Sequence, residues 1–293
     1  MNKEITLFLF DASSHFSRVY KKGEDDGALD KPANFVDGKP IFALSSTIGN
    51  VVNQAKAVQQ LLGKRYTHIA CVLDHEGENF RHRLFPDYKG NRPPKPEAFQ
   101  IQRKLLPHYM MENGFPVLKI EDVESDDVIG TIVHKCRQSP VTIKVVIFTR
   151  DKDLYQLIDD NVMIYDGKEL IDTSKVIEKK GVVPNKIADM LALVGDTADN
   201  IEGVQGVGEK TAVKVLQHMS FDDIVANPEE LLKMDIRNKK AIVANITKDV
   251  EHAKLQKQLT DLKLDLDLGM NLNQFVKRSG GVNDIQLFVR KHS

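Results

Sequence analysis

The chain has 293 residues, 41% hydrophobic and 28% charged, which excludes a disordered chain and leaves room for one large core or two closely packed ones. With 41 basic and 42 acidic residues the formal net charge is −1, so no general attraction to nucleic acid exists and any electrostatic footprint is local. No apolar run reaches the roughly 18 residues of a membrane span, and the start MNKEITLFLFDASS lacks a signal-peptide cleavage pattern.

Cys71 and Cys136 each sit in an apolar run and read as buried thiols, so the expected setting is the reducing cytoplasm, away from membranes. In chain order, ITLFLF from Ile5 reads as a buried strand. The segment KKGEDDGALDKPANFVDGKP reads as a surface loop. Ser45 to Leu62 has helical periodicity, HIACVL from His68 is a second buried strand, and PDYKGNRPPKP is a second loop. Helical patterns return around Arg103 to Asn113 and again in VESDDVIGTIV, where Val128, Ile129, Ile132, Val133 and Cys136 share one face. IKVVIFT from Ile143 is the third strand. After Pro184 the text is mostly helical, through KIADMLALVG, EKTAVKVLQHM and a charged stretch near DVEHAKLQKQLTDLKLDL. The alternation predicts an α/β fold, with a central, mostly parallel sheet flanked by helices over residues 1–183 and a helical part over 184–293.

Each strand runs straight into an aspartate: Asp11, Asp74, and then Asp151 with Asp153. In an open parallel sheet these ends share one edge, where ligands bind. The helix that opens at Ser125 brings Glu124, Asp126 and Asp127 to its mouth, and LVGDTADN adds Asp196 and Asp199. Any single one of these could be only an N-cap, Ser125 included. Nine converging acids would repel one another unless cations joined them. An all-oxygen set favours Mg²⁺, with Mn²⁺ as a substitute, and the number of acids suits two ions.

Two basic features accompany them. FRHRLFPDYKGNRPPKPEAFQIQRKLL carries Arg81, Arg83, Lys89, Arg92, Lys95, Arg103 and Lys104 among aromatic residues, a pattern open to a solvated face or to a phosphate grip. In GVQGVGEKTAVKVL, Gly206 and Gly208 permit a tight turn ahead of a helix near Glu209. That is either a plain turn or a helix–hairpin–helix of about residues 190–218, which grips duplex backbone.

FDASSHFSRVY, LDHEGENFRHRLFPDYKGNRPP, VESDDVIGT, TRDKDLYQL and GDTADNIEGVQGVGEKTA, in this order, resemble the 5′-nuclease (flap endonuclease) family with its PIN-like fold. The chain is most similar to the 5′→3′ exonuclease domain of bacterial DNA polymerase I over about residues 5–265. The resemblance implies that Asp11, Asp74, Glu124, Asp126 and Asp127 hold a first metal and Asp151, Asp153, Asp196 and Asp199 a second. It implies a helical arch of about residues 80–110, in which Lys89 and Arg92 contact the scissile phosphate and Tyr88 stacks on a base. Arg18 and Arg81 become further phosphate contacts, and Gly206, Gly208 and Lys210 a duplex-binding hairpin that can hold K⁺.

The implied activity is hydrolysis of nicked or flapped DNA, or of RNA primers, by a monomer, giving 5′-phosphate and 3′-hydroxyl ends. Departures from the family pattern are Ala12 and Arg150 where glycine is common, an acidic HEGEN segment, and Glu202 and Gln205 where many relatives have proline. The chain's extent fits either a free-standing nuclease or a piece of a polymerase. Two other readings stand beside this one: a PIN-like ribonuclease, and a non-catalytic binder of branched DNA.

Overall fold

The computed structural model describes residues 5–292. Strand β1 (Ile5–Asp11) leads into helix α1 (Ala12–Asp25), a two-residue hairpin of β2 (Phe35–Val36) and β3 (Lys39–Pro40), and α2 (Phe42–Leu62). Strand β4 (His68–Leu73) is followed by α3 (Phe80–Leu84), α4 (Glu97–Glu112), β5 (Val117–Lys119), α5 (Ser125–Arg137) and β6 (Ile143–Phe148). Two short strands, β7 (Val162–Tyr165) and β8 (Leu170–Ile171), precede α6 (Thr173–Lys180). The rest is helical: α7 (Ile187–Val194), α8 (Glu209–Leu216), α9 (Phe221–Ala226), α10 (Lys239–Lys248), α11 (Val250–Thr260) and α12 (Ile285–Lys291).

The main sheet has the order β5-β4-β1-β6-β7-β8, parallel except for the β7–β8 pair. Its centre is apolar on both faces because both are covered. Leu7, Leu9, Ala70, Val72, Val145 and Ile147 point into a core shared with α5, α7 and α8. Phe8, Phe10, Ile69, Cys71, Val146 and Phe148 point into a second core against α1, α2, α4 and α12. Phe10 and Phe148 stack there at 3.9 Å between ring centroids. No helix among the described residues is long and apolar enough to cross a membrane.

The three expected strands and the mostly parallel sheet are present. The segment read as a loop after β1 differs at its start. Helix α1 runs through Lys21–Asp25, because His15, Phe16 and Tyr20 form a buried stripe. At Gly23 there is no room for a side chain, since a Cβ there would lie 2.5 Å from the Phe42 ring. The remainder of that segment holds Ala28 and Val36 buried.

Candidate metal centre and nucleic-acid interface

Asp11 ends β1 and is 3% exposed. Its Oδ1 accepts from the Ser14 amide at 3.0 Å, capping α1, and its Oδ2 accepts from Thr149 Oγ1 at 2.8 Å. Asp74, just past β4, takes both the amide and the hydroxyl of Ser125 on Oδ1, at 2.9 and 2.7 Å. So the capping role and the shared edge coexist in the same carboxylates. Ser125 is not the cap of its own helix: Glu124 stands at that position, and Ser125 spends its donors on Asp74.

The acids gather in two lobes. Burial first, then the charges of Asp151, Asp11, Glu124 and Asp74, push Asp126 well above the usual carboxylate range. Burial and the neighbouring Asp74 raise Asp11 to about 7. In the other lobe, burial and the charges of Asp151, Asp196 and Asp199 push Asp153 well up, and burial with Asp199 and Asp196 raises Asp151. Asp153, Asp196 and Asp199 each offer an oxygen within 4.8 Å of the others. Asp126 and Asp151 link the lobes electrostatically.

Part of this charge is already balanced. Lys89 Nζ donates to Glu124 Oε1 at 2.5 Å and lies 3.5 Å from Asp199, and Arg92 pairs with Asp199. Burial alone would raise Glu124, but Lys89 and Arg81 outweigh it and hold the carboxyl down to about 2. Asp11, Asp126, Asp151 and Asp153 have no cation in ion-pair contact among the described residues. Oxygen donors crowded at raised pKa, with no cation in direct contact, are the chemistry of a hard divalent-cation site.

A pH consequence follows. Asp11 has a folded-state pKa raised above its ordinary 3.8, so the folded protein holds a proton that the unfolded chain releases. The contribution of Asp11 to the stability of the metal-free protein is therefore expected to fall as pH rises from 3.8 to about 7, against an opposite contribution from His15, whose pKa is lowered from 6.5 to about 4. The difference in melting between wild type and Asp11→Asn in EDTA across that range checks it.

The basic segment packs over the acids as a joint, not a free loop. Lys89 has a left-handed φ of 56°, and its amide donates to the Asp199 carbonyl at 3.0 Å. Asn91 Nδ2 donates to the Thr197 carbonyl at 2.6 Å, Arg92 Nε to that of Ala198 at 3.1 Å, and Asn200 Nδ2 to that of Asp87 at 2.8 Å. This places the expected arch residues against the turn that carries Asp196 and Asp199. Between α3 and α4, residues 85–96 are turn and irregular backbone, without a helix.

Three expected roles are corrected. Asp127 is fully buried, and its oxygens receive the Arg81 guanidinium at 2.6 and 2.8 Å as well as the Lys263 amide at 2.9 Å. Its carboxylate is thus taken up by Arg81 and by backbone amides, including that of Glu124 at 3.2 Å. Arg81 is 2% exposed and also donates to the carbonyls of Leu259 and Asp261, tying α3 to the end of α11 and leaving nothing for phosphate. Tyr88 is 2% exposed with its hydroxyl donated to Asp199 (2.9 Å) and Glu124 (3.1 Å), so its ring has no free face for a base.

Arg18 lies on α1 with no carboxylate in ion-pair range among the described residues. Its guanidinium donates to Ser14 Oγ at 3.2 Å and reaches His15 Nδ1 at 3.2 Å. His15, which the sequence reading missed, is 1% exposed, and its Nε2 is 3.2 Å from the Phe148 carbonyl. A carbonyl only accepts, so Nε2 carries the proton, while Nδ1 faces both the Arg18 guanidinium and Asn50 Oδ1, the latter at 3.1 Å. Burial and the charge of Arg18 lower the His15 pKa to about 4, which keeps that tautomer neutral. A histidine one turn before an arginine was the available signal.

Helices α7 and α8 flank the hairpin. Gly195 (φ 86°) and Gly203 (φ 72°) cross so closely that a Cβ on Gly203 would lie 2.4 Å from the Gly195 nitrogen. The Val204 amide closes the crossing on the Leu193 carbonyl at 2.8 Å. Gly206 (φ 91°) and Gly208 form the exposed tip, with open space where a Cβ on Gly208 would stand, and Lys210 is exposed in the first turn of α8. Gly203→Ala is expected to cost at least about 2 kcal/mol, through backbone strain and this clash. A urea midpoint shift measures it.

A family model described as the N-terminal resolvase-like domain of 5′-3′ exonuclease matches residues 6–181, and its C-terminal SAM-fold counterpart matches residues 182–281. The 5′-3′ exonuclease of Aquifex aeolicus is 36% identical over 265 residues, covering 89% of this chain and 84% of its own. DNA polymerase I of Pseudomonas aeruginosa is 35% identical over 275 residues, where 92% of this chain spans only 28% of that protein. The flap endonuclease of bacteriophage T5, solved with DNA and metal ions, has the same fold, with a TM-score of 0.63 and 20% identity over 88% of this chain and 89% of that one. The chain belongs to the 5′-3′ exonuclease family and is an enzyme of the nuclease class.

Proposed function

We propose that the chain is a Mg²⁺-dependent, structure-specific 5′-nuclease, with 5′→3′ exonuclease and flap endonuclease activity near single-strand/duplex junctions. It leaves 5′-phosphate and 3′-hydroxyl ends and serves primer removal and DNA repair. The observation that carries this reading is the set of Asp11, Asp126, Asp151 and Asp153, brought to one sheet edge with no cation in ion-pair contact among the described residues. Residues 1–183 form the catalytic unit, and 184–293 the DNA-binding unit.

One ion fits Asp11, Asp74, Glu124 and Asp126; a second fits Asp151, Asp153, Asp196 and Asp199. When bound, two such ions stabilise the attacking and the leaving oxygens of a phosphodiester. Lys89 and Arg92 already lean on Glu124 and Asp199. With the acids occupied, these cations turn to the phosphate oxygens and offset the charge that builds there. The Asn91 and Asn200 contacts hold both cations in register with the acids. Arg18, seated by neutral His15, takes an adjacent phosphate. The hairpin tip at Gly206 and Gly208, with Lys210 behind it, offers backbone amides to the duplex and a site for K⁺. The substrate is duplex DNA with a nick or a 5′ flap, RNA primers included, bound by a monomer.

The T5 relative solved with DNA and metal ions supports this reading. Cleavage of flap DNA beside linear RNA tests it: flap DNA is expected to be cut and the RNA left whole. Lys89→Ala is expected to slow flap cleavage by roughly a hundredfold or more. Equal turnover of linear RNA would move the assignment to a ribonuclease.

A further inference from the structure

The loop after β6 reads Arg150, Asp151, Lys152, Asp153, with cations and acids alternating. The acids belong to the metal centre, and the cations open onto a different surface. Arg150 and Lys152 line a cleft of about 550 Å³ with Lys168, Lys179 and Lys180. That cleft shares Lys152, Lys180 and Glu209 with the concavity holding Asp153 and Asp196, so the two are continuous.

The cleft is strongly cationic. Five basic side chains face two acids, Asp166 and Glu209. Asp166 is already committed, since its Oδ1 accepts the amides of Lys168 and Glu169 at 2.8 and 2.9 Å. Lys179 is paired with Glu169 at 3.0 Å, whereas Arg150, Lys152, Lys168 and Lys180 have no carboxylate in ion-pair range among the described residues. Arg150 is seated: its Nε donates to the Asp166 carbonyl at 2.9 Å, and its guanidinium lies over Gly167 (φ 96°), where a Cβ would come within 3.4 Å of it. At the far side Gly181, just past α6, packs on Val213 of α8, so the cleft borders the first turn of the hairpin's second helix.

We propose that this cleft binds the phosphodiester backbone of the duplex arm of the substrate, with Arg150 as its inner anchor, and carries the grip of the hairpin to the metal centre. The proposal rests on the nuclease reading and extends it to a surface beyond the acids and the arch. Cations without carboxylate partners on a concave wall call for a polyanion, and the adjoining hairpin helix makes the double-stranded arm the segment within reach.

The test is equilibrium binding by fluorescence anisotropy in Ca²⁺, for wild type, Arg150→Gln, Lys168→Gln and the double variant. Three DNAs are compared: a flapped duplex, the same duplex without a flap, and the flap strand alone. The double variant is expected to bind both duplexes about tenfold more weakly, and its salt slope should fall by about 0.9 for each phosphate it no longer neutralises. Its binding of the single strand is expected to stay as in wild type, and circular dichroism checks its fold. Unchanged duplex binding and salt slope in the folded double variant would overturn the proposal, as would a weakening confined to the single strand. Failure of wild type to bind any of the three would instead overturn the nuclease reading itself.

Discussion

Asparagine in place of Asp126 is expected to lower flap cleavage by roughly three orders of magnitude while leaving flap binding intact. Asp126 stands between the two lobes: its charge is coupled to Asp11, Glu124 and Asp74 on one side and to Asp151 on the other. On the proposed reading, removing one negative charge there weakens the hold on either ion and costs the transition state, not the ground-state grip assigned to Arg18 and the hairpin. Binding is even expected to tighten slightly, because an acid facing phosphate is gone. Single-turnover cleavage in Mg²⁺, beside anisotropy with the same flap in Ca²⁺, separates the two effects. Equal loss of binding and cleavage would place Asp126 in the fold instead of the chemistry.

Asp127→Asn is expected to act by a different route, destabilising the protein by about 3–5 kcal/mol. Asp127 and Arg81 form a fully buried, two-pronged pair, and the arginine also ties down the carbonyls of Leu259 and Asp261. Asparagine leaves the buried guanidinium with only Glu124, 3.5 Å away, as counter-charge among the described residues, so urea denaturation in EDTA should show the loss. A metal ligand at this position would show it only when Mg²⁺ is present. Adjacent residues in sequence thus differ: Asp126 lies among the acids, and Asp127 pairs with Arg81 in the interior.

That division explains what the sequence could and could not reveal. The three central strands were legible because each is apolar on both faces and ends in an aspartate, and those ends do converge on one edge. Short β5, β7 and β8 were not, since strands of two to four residues carry no periodicity. Helix α1 was hidden by Ser13, Ser14, Ser17 and Arg18, which interrupt its stripe, and by the glycine-rich text that follows. Asp126 and Asp127 lie about 100° apart around a helix, and nothing in the spacing of acids says which of them faces the sheet edge. Asp127's partner, Arg81, stands 46 residues away, so only the tertiary fold could expose the pair. The same holds for Tyr88, to which the family resemblance gave a stacking role, whereas its hydroxyl closes on Asp199 and Glu124. The hairpin was readable from Gly206, whose φ is positive, whereas Gly208, paired with it in the sequence, has an ordinary φ and open space, and the tight crossing is made by Gly195 and Gly203 instead.

The most direct measurement is cleavage of a 5′-labelled flap duplex by the purified chain as Mg²⁺ is titrated from an EDTA-treated start. The expected result is no cutting in EDTA, then release of a product ending within about one nucleotide of the junction as the ions fill the acid cluster. A flap that is bound yet left whole in both Mg²⁺ and Mn²⁺ would contradict the account, leaving the acids without a catalytic role and the chain as a binder of branched DNA.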